Sequence, residues 1–403
     1  MTHILIIHQA FASLDEPGGT RHYEFARLLA DRGERVTIIA SPVSYITGRS
    51  SIPEPSSIKT ERISNNLTIL RVRVYAAHHR SFFHRVIAFL SFMISAFLLG
   101  LRIRNVDVIW GTSPPIFQGV TAWLLARIKH RPLLLEIRDL WPQFAVAVGV
   151  LKNPILIRAS EWLERTLYQQ AQKLIVNSPG FIQHVRQRGG RDVQLVPNGS
   201  DPTMFDPLDR GTDFRHKYLL EKKFIVLYAG AHGVSNDLGV VLEAAGLLSD
   251  PGIHIVLLGD GKEKQALQVR ATEMGIRNVT FVASVPKSVM PTALAAADAC
   301  LAILKPLEEY KTTYPNKVFD YMAAGRSVIL AIDGAIRSVV EDAGCGIFSK
   351  PGDPVALAEA IQMLARDPER NRDIGLAGRD YLLKKFNRVE IAERLFRIFE
   401  ELK

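Results

Sequence analysis

The stretch 312-TTYPNKVFDYMAAGRSVI-329 predicts a loop, a short helix, a tight turn and a strand, in that order. Pro315 is typical of a helix start, and apolar residues at helical spacing follow it. Gly325 is typical of a helix end, and the apolar run at 328–330 predicts a strand. This stretch therefore predicts an α/β fold, and it places Lys317 and Asp320 about one turn apart on one helix.

The same alternation of strands and helices continues along the whole chain of 403 residues. A first series of predicted strands lies at 3–7, 36–40, 107–111, 132–137, 173–177 and 194–197. A second series lies at 223–230, 254–258, 279–281, 299–304 and 328–330. Each series is long enough for one domain, so we predict two tandem doubly wound parallel-sheet domains of the Rossmann-like type.

The stretch 197-PNGSDPTMFDP-207 separates the two series and is rich in Pro, Gly, Asn and Asp, which is typical of an exposed linker. We place the first domain at 1–198 and the second at 199–378. The tail at 379–403 has amphipathic helical patterns, and we expect it to pack back toward the first domain. Ligands of such sheets bind outside the carboxyl ends of the strands, so a cleft between facing strand ends is the expected site.

Composition limits the possible partners and the cellular compartment. The net charge of +9 indicates an anionic partner. Nucleic acid is not favoured, because the chain has neither aromatic-basic interleaving nor a zinc or helix-turn-helix signature. The two cysteines form no disulfide or metal pattern, which predicts reduced thiols in the cytoplasm. The first residues have the pattern of a core strand rather than of a signal peptide.

A basic region at 62–106 contains seven Arg, three His and no Asp or Glu. Within it, 86-VIAFLSFMISAFLLGL-101 is apolar but shorter than the roughly 20 residues that a membrane span needs. One interpretation is a buried helix of the first domain. The basic flanks favour the other interpretation, a membrane-interface helix near 80–104 with cations at anionic headgroups. The residues predicted to contact the membrane are Arg85, Phe89, Phe92, Phe97 and Arg102.

Glycine-rich loops follow several of the predicted strands. Such loops can cradle phosphate with backbone N–H groups, although each of them also fits a plain turn. The candidate phosphate-binding residues in these loops are Gly18, Gly19, Gly230, His232, Gly259, Gly261 and Lys262.

Charged residues near strand and helix ends are the other candidates. Asp139 follows the strand at 132–137 and fits either a general base or a helix N-cap. Asn316 and Lys317 at a helix N-terminus fit a diphosphate site, and Asp320 fits a hydrogen-bond acceptor for ribose hydroxyls. A solvated lysine and a helix-stabilising acid are the alternatives. No metal-ligand spacing is present, so we expect neither a metal nor a cofactor.

The chain resembles, nearly end to end, the retaining glycosyltransferases of the GT-B fold, family 4. The loop 138-RDLWP-142 and the block around Lys317 resemble most the bacterial branch that builds cell-surface polysaccharides, including N-acetyl-fucosamine-type transferases. The segments that carry the resemblance are 18-GG-19, 196-VPNGSDPTMF-205, 228-YAG-230, 257-LLGDG-261 and 315-PNKVFDYMAAGRSVI-329.

The resemblance implies a GT-B architecture and a nucleoside diphosphate-sugar donor, with a UDP-linked N-acetylamino sugar as the expected one. It implies that Asp320 holds the ribose and that 316–318 face the diphosphate. It also implies that the Gly18-Gly19 loop closes over donor phosphate and acceptor. Asp139 matches a catalytic or sugar-contacting position, and Lys317 would stabilise the leaving diphosphate.

Two departures from the family pattern affect the site residues. Many members carry Glu-x7-Glu, but here Thr312 stands at the first Glu, so Glu309, Thr312 and Thr313 are the candidates for sugar binding, with Glu308 as an alternative acid. Many members also carry an Arg and a Lys after the strand that ends at 228-YAG-230. Both cations are missing here, which shifts the expectation to Lys317 and Lys262.

The resulting hypothesis is a metal-independent retaining glycosyltransferase, peripheral on the inner face of the plasma membrane. Its acceptor would be a polysaccharide or a glycan linked to polyprenyl diphosphate. One alternative is a nucleotide-sugar epimerase of the same fold. The other is a non-catalytic nucleotide-sugar-binding protein at the membrane.

Overall fold

A computed structural model describes residues 1–44, 48, 50, 58–75 and 82–403, without the side chains of Phe82, Phe83 and Arg85. The chain forms two units, Met1–Pro197 with Val389–Lys403 and Asn198–Arg388. Each unit has a mainly parallel central sheet. The prediction of an α/β chain with two doubly wound, Rossmann-like domains is therefore confirmed.

The first unit, over its described residues, has an eight-stranded sheet and six helices before the second unit begins. Its strands are β1 (His3–His8), β2 (Arg35–Ala40), β3 (Lys59–Arg62), β4 (Leu67–Arg71), β5 (Val108–Ser113), β6 (Leu133–Ile137), β7 (Lys173–Val176) and β8 (Val193–Leu195). Its helices are α1 (Arg21–Asp31), α2 (Phe82–Arg102), α3 (Ile116–Lys129), α4 (Gln143–Ala147), α5 (Pro154–Gln170) and α6 (Ile182–Gln187). The strand order is β3-β4-β2-β1-β5-β6-β7-β8, and the β3–β4 pair is antiparallel.

The second unit has a six-stranded parallel sheet. Its strands are β9 (Phe224–Ala229), β10 (Ile253–Leu258), β11 (Val279–Val282), β12 (Ala299–Ile303), β13 (Ser327–Ala331) and β14 (Gly346–Phe348). Its helices are α7 (Thr212–Lys217), α8 (Leu238–Leu247), α9 (Lys264–Glu273), α10 (Met290–Ala295), α11 (Asn316–Ala323), α12 (Ala335–Asp342), α13 (Pro354–Arg366) and α14 (Pro368–Lys385). The strand order is β11-β10-β9-β12-β13-β14.

The central strands are almost continuously apolar because helices cover both faces of each sheet. Every residue of β1, β5, β6, β12 and β13 is buried. Parallel pairing also brings the carboxyl ends of neighbouring strands to one edge. Loops that follow β9, β10 and β12 therefore lie near one another, as do those that follow β1, β5 and β6.

The last helix, α15 (Arg388–Glu400), packs into the core of the first unit. Its apolar face includes Ile391, Leu395 and Phe399, and the Phe399 ring lies 5.7 Å from that of Trp110. The second unit runs to Arg388 rather than ending at the predicted 378, because α14 continues across that boundary.

The segment at 196–200 is buried, so the prediction of an exposed linker is wrong there. The backbone of Ser200 makes two hydrogen bonds at the start of α15. The Ser200 nitrogen donates to the Phe386 oxygen at 3.2 Å, and the Arg388 nitrogen donates to the Ser200 oxygen at 2.9 Å. The polar residues that suggested a solvated linker are instead used in hydrogen bonds within the second unit.

The predicted membrane orientation of α2 needs correction. Phe92 is fully buried in the core, so the prediction that it contacts a membrane is wrong. Phe89 and Phe97 are only partly exposed, since Phe89 lies 6.0 Å from the ring of Phe117 and Phe97 packs against the core. Arg102 is exposed. Arg85 was also predicted to contact the membrane, but its side chain lies outside the described residues.

A different set of apolar residues lies on the outer face of α2. Ile94 and Leu98 are 55% and 54% exposed, and Leu90 and Leu101 are exposed beside them. These four residues are called the α2 stripe below. Within the described ranges, no helix has both the length and the apolar character needed to cross a membrane.

Candidate active site

Lys317 is a cation at the start of α11. The helix begins after Pro315, and no side chain caps its first N–H groups. The Lys317 Nζ lies 3.9 Å from the centre of the Tyr228 ring, and no carboxylate in the described part of the chain pairs with it. The Lys317 side chain is partly exposed, but the protein atoms around its ammonium keep water away and so lower its pKa to about 7. The helix start and the ammonium together form an electropositive site for an anion.

Glycines bring two loops close to Lys317. A Cβ on Gly230 would lie 2.5 Å from the Lys317 Nζ, and a Cβ on Gly259 would lie 1.8 Å from the Gly230 carbonyl oxygen. Both glycines also have positive φ, at 155° and 150°. Gly261 approaches the backbone of His232 in the same way. The structure thus brings Gly230, Gly259, Gly261 and Lys317 together at one sheet edge.

His232 lies inside the fold rather than on a ligand-binding surface. Its side chain is fully buried, and neither ring nitrogen has a hydrogen-bond partner among the described residues. Burial, with a contribution from the charge of Lys264, lowers the pKa of His232 to about 4. The ring is packed near Phe281, and the predicted contact of this loop with the donor phosphate, through backbone N–H groups, stays a prediction.

The two lysines after β10 have different surroundings. Lys262, a predicted donor-binding residue, is exposed. Lys264 donates hydrogen bonds to the Gly259 oxygen at 2.7 Å, the Asp260 carboxylate at 2.8 Å and the Val282 oxygen at 3.0 Å. Lys264 therefore stabilises the glycine loop.

Replacing Gly259 by Ala is expected to destabilise the second unit by at least about 2 kcal/mol, because the added Cβ meets a backbone oxygen and the positive φ is strained. Urea unfolding followed by circular dichroism measures the change. Gly233→Ala is the matched control in the facing loop, since its Cβ would meet only the Asn236 side chain at 3.6 Å. Equal midpoints for the two variants would contradict the close approach of the loops.

Asp320 is the centre of a polar cluster next to Lys317 along α11. Its carboxylate accepts hydrogen bonds from the Ser200 Oγ at 2.6 Å and from the Asn316 Nδ2 at 3.4 Å. It also pairs with the Lys287 Nζ at 2.5 Å. The Asn316 Oδ1 accepts a hydrogen bond from Arg388 at 3.1 Å. The members of this polar cluster are Asp320, Ser200, Asn316 and Lys287.

The candidate sugar-binding residues lie in the turn before α11. The Thr312 Oγ1 donates to the Glu309 carbonyl at 2.6 Å, and the Thr313 Oγ1 donates to the Tyr310 carbonyl at 2.8 Å, so both hydroxyls support the turn. Glu308 is exposed and pairs with Lys311 at 2.7 Å. The partly buried carboxylate of Glu309 has no partner among the described residues, which leaves it available to a ligand.

The first unit has candidate residues of its own in the loop between β1 and α1. Gly18 has a φ of 153°, and its Cβ would lie 2.8 Å from the Ala12 Cβ, whereas Gly19 is exposed and has open space around it. The N-cap residue Thr20 makes no side-chain hydrogen bond to the helix backbone. The predicted phosphate-closing loop is thus placed at the carboxyl end of β1.

A buried charged cluster supports this edge of the first sheet. The Glu136 carboxylate accepts from the Arg21 Nε at 2.8 Å and lies 2.6 Å from the His22 Nε2. Arg21 also donates to the Val196 and Pro197 carbonyl oxygens, each at 2.6 Å. Burial opposes ionisation of Glu136, but the charges of His22 and Arg21 hold the pKa of its carboxyl below the usual range.

Asp139 lies just after β6, at the same edge. Its side chain is exposed to solvent, although protein atoms around it raise the pKa of its carboxyl to about 6, with Arg138 opposing the shift. It is not a helix N-cap, because α4 begins after Pro142. Asp139 is therefore an accessible carboxylate near neutral pH, which suits contact with a substrate hydroxyl.

In the parts of the chain that the structure describes, no group of three or more His, Cys, Asp or Glu residues could hold a metal ion. The expectation of a metal-independent reaction remains a prediction that activity in the presence of EDTA would check.

Two family models match the chain. The glycosyl transferase 4-like domain matches residues 18–199, and the glycosyl transferases group 1 model matches residues 223–367. The first match includes Gly18, Gly19 and Asp139, and the second includes Gly230, Lys317 and Asp320.

Known proteins agree with these matches. The chain is 23% identical over 361 residues to the putative colanic acid biosynthesis glycosyl transferase WcaI of Escherichia coli K12, covering 86% of this chain and 88% of the relative. Its fold is similar to sucrose-phosphate synthase from Thermosynechococcus elongatus, with a TM-score of 0.80, 19% identity and coverage of 100% and 99%. It is also similar to Anabaena HepE in complex with UDP and glucose, with a TM-score of 0.73, 15% identity and full coverage of both chains.

Proposed function

Because glycosyl transferase models match both halves, the chain is a glycosyltransferase of the GT-B fold, and we propose that it transfers a sugar from a UDP-sugar. The transferred group is an N-acetylamino sugar, and the acceptor is a glycan on polyprenyl diphosphate or a growing polysaccharide. The configuration at the anomeric carbon is retained. The product belongs to cell-surface polysaccharide synthesis, a role that the similarity to a colanic acid transferase supports.

The observation that carries this proposal is the ammonium of Lys317 at the start of α11, which pairs with no carboxylate of the described residues. A diphosphate brings the negative charge that this site lacks, and helix N-termini bind such groups through their free N–H groups. The solved complexes of HepE contain UDP and UDP-glucose, which supports UDP as the nucleotide.

The proposed reaction breaks the bond between the anomeric carbon and the β-phosphate oxygen of the donor. The acceptor hydroxyl oxygen bonds to the same carbon on the same face, and its proton passes to the departing phosphate oxygen. Lys317 and the α11 N–H groups stabilise the charge on the leaving diphosphate, which is electrostatic catalysis by preorganised donors.

The remaining residues have binding roles in this proposal. Asp320 accepts hydrogen bonds from the ribose, and Glu309 replaces the missing acid at Thr312 as the contact for sugar hydroxyls. Gly230, Gly259 and Gly261 leave room for the diphosphate beside Lys317. In the first unit, the Gly18-Gly19 loop and Asp139 contact the acceptor or the transferred sugar.

A panel of UDP-, GDP- and dTDP-sugars tests the proposal. Binding is measured by calorimetry, and transfer is then measured to lipid-linked acceptors from membrane extracts, with and without EDTA. We expect UDP-sugars alone to bind well and to give glycolipid product in both conditions. Tight binding of another nucleotide, or product only with added metal, would contradict the corresponding part of the proposal.

An epimerase of the same fold is the remaining alternative in chemistry. It would convert UDP-sugar with no acceptor present, whereas the transferase needs the acceptor. Both family models describe glycosyl transferases, which favours transfer. They also argue against the non-catalytic interpretation.

We further propose that the first unit docks on an anionic membrane surface, the inner face of the plasma membrane, through α2. The α2 stripe is an exposed apolar face, and Arg102 and Arg104 at the end of the helix are exposed. Arg73, also exposed, lines a shallow groove together with Ile94. Apolar residues flanked by arginines fit the boundary between acyl chains and anionic headgroups.

Replacing both Ile94 and Leu98 by Asp is expected to reduce binding to vesicles that contain anionic lipid by about tenfold or more, because two charges would enter the lipid boundary. Vesicle sedimentation measures the bound fraction. The matched control is Ile155→Asp, since this residue of α5 is 76% exposed but lies outside the α2 stripe. Equal loss in both variants, or binding independent of anionic lipid, would contradict this surface.

A further inference from the structure

The carboxylate proposed to bind ribose already has two close protein partners. One Asp320 oxygen accepts from the Ser200 hydroxyl at 2.6 Å, and the other pairs with Lys287 at 2.5 Å. A carboxylate has about four lone-pair positions, so these contacts leave room for further donors. They also fix which positions remain open.

Lys287 is placed to hold the carboxylate rather than to meet solvent. It follows β11 in a short 3-10 turn, and its side chain is only 7% exposed against 14% for Asp320. Its Nζ also lies 5.3 Å from the centre of the Phe205 ring. Apolar and cationic contacts therefore restrict both ends of the ion pair, and a restricted pair presents its free lone pairs in one direction.

Lys287 also places a positive charge beside Asp320, with its Nζ 2.5 Å from the carboxylate. A diphosphate at Lys317 would place negative charge about one helical turn from Asp320, and the Lys287 ammonium offsets the repulsion between the diphosphate and the carboxylate. An ionised carboxylate only accepts hydrogen bonds, which is the property that the two adjacent hydroxyls of ribose require.

We infer that Lys287 is a positioning residue of the donor site that orients Asp320 toward the ribose hydroxyls and so sets the preference for ribonucleotides over deoxyribonucleotides. This inference rests on the proposed function, since it needs the nucleotide to bind beside α11. It assigns a role to the loop that follows β11, the strand at one edge of the second unit's sheet.

Calorimetry with UDP, 2′-deoxy-UDP and 3′-deoxy-UDP tests the inference. The wild type is expected to prefer UDP over at least one deoxy form by about tenfold or more, since a buried acceptor left unpaired disfavours the analogue. Lys287→Met should weaken UDP binding by about tenfold and bring the ratio close to one, with little change for the deoxy forms. Lys287→Arg should restore part of the ratio.

Two controls separate this role from a structural one. Pyrophosphate binding should be the same in wild type and Lys287→Met, because Lys317 is unchanged. Asp320→Asn keeps Lys287 but removes the charge, and it should lose the same ratio. If Lys287→Met weakens all three nucleotides equally or leaves the wild-type ratio intact, the inference is overturned while the UDP site stands. If the wild type does not bind UDP, or if Asp320→Ala leaves UDP affinity unchanged, the proposed function or its ribose assignment fails, and the inference fails with it.

Discussion

Lys317→Met is expected to lower kcat/KM for sugar transfer by about 100- to 1,000-fold, which is the usual effect of removing one preorganised donor from a developing anion. The substitution keeps the length and apolar stem of the side chain but removes the ammonium beside Tyr228. No other cation of the second unit is placed beside Gly230 in the same way, since Lys264 is bound to the glycine loop. A steady-state assay with saturating acceptor measures the loss.

The pH dependence of UDP binding gives this prediction a second readout. The pKa of Lys317 in the free protein is about 7, so the ammonium is present below pH 7 and is progressively lost above it. UDP affinity should therefore fall as pH rises from 7 to 9, by up to about tenfold per unit, while the UDP phosphates stay ionised. Lys317→Arg should bind with little dependence on pH in this range, because arginine keeps its charge.

The same pKa predicts an opposite effect on stability. Lys317 is protonated up to about pH 10.4 in an unfolded chain, but only up to about 7 in the free fold. The group therefore opposes folding below pH 10, and this penalty is full below pH 7. Lys317→Met should raise the melting temperature of the free protein at neutral pH while removing the UDP-induced increase. Lys222→Met, at an exposed lysine of the second unit that is not a candidate for donor binding, is the control and should change neither quantity.

Glu136→Ala is expected to destabilise the first unit by about 3 to 5 kcal/mol, because it leaves the buried Arg21 guanidinium without its carboxylate. At about 2 to 4 °C per kcal/mol, the melting temperature of this unit should fall by roughly 6 to 20 °C. Tryptophan fluorescence follows this unit alone, since the four tryptophans, at 110, 123, 141 and 162, all lie in it.

Two variants control for this result. Glu136→Gln keeps hydrogen-bonding capacity toward Arg21 and His22 and should lose less stability than Glu136→Ala. Glu393→Gln removes an ion pair with Arg32 in the same unit, but both side chains are nearly half exposed, so it should change stability by less than about 1 kcal/mol. A loss as large for Glu393→Gln as for Glu136→Ala would show that burial does not determine the effect.

The sequence predicted the parallel strands well because their apolar runs are continuous and buried on both faces. It missed β3, β4 and β14. The sequence of β3 is Lys-Thr-Glu-Arg, and three of these four residues are exposed at the sheet edge, so no apolar pattern marks it. The positions of α2 and α11 were predicted, but the face of α2 was not. Apolar residues surround that helix, so periodicity does not distinguish Phe92, which is buried, from Ile94, which is exposed.

The candidate site was predicted in part for a similar reason. Residues after strand ends converge by topology, which brought Gly230, Gly259 and Lys317 together. The partners of Asp320 depend on contacts between distant parts of the chain, such as Ser200 at a separation of 120 residues. Lys287 was within reach of the same search, because it follows the end of β11, but only the packed structure shows its pairing with Asp320.

Because α15 packs in the first unit, this unit cannot complete its core until the end of the chain has been synthesised. Residues 1–197 leave the ribosome while 198–388 are still being added, and α15 comes later still. At roughly 5 to 20 residues per second, the surface around Trp110 stays uncovered for on the order of 10 to 40 s. The second unit is contiguous and can complete its core before the first. A chaperone that shields apolar surface during translation would therefore act mainly on the N-terminal part of this protein.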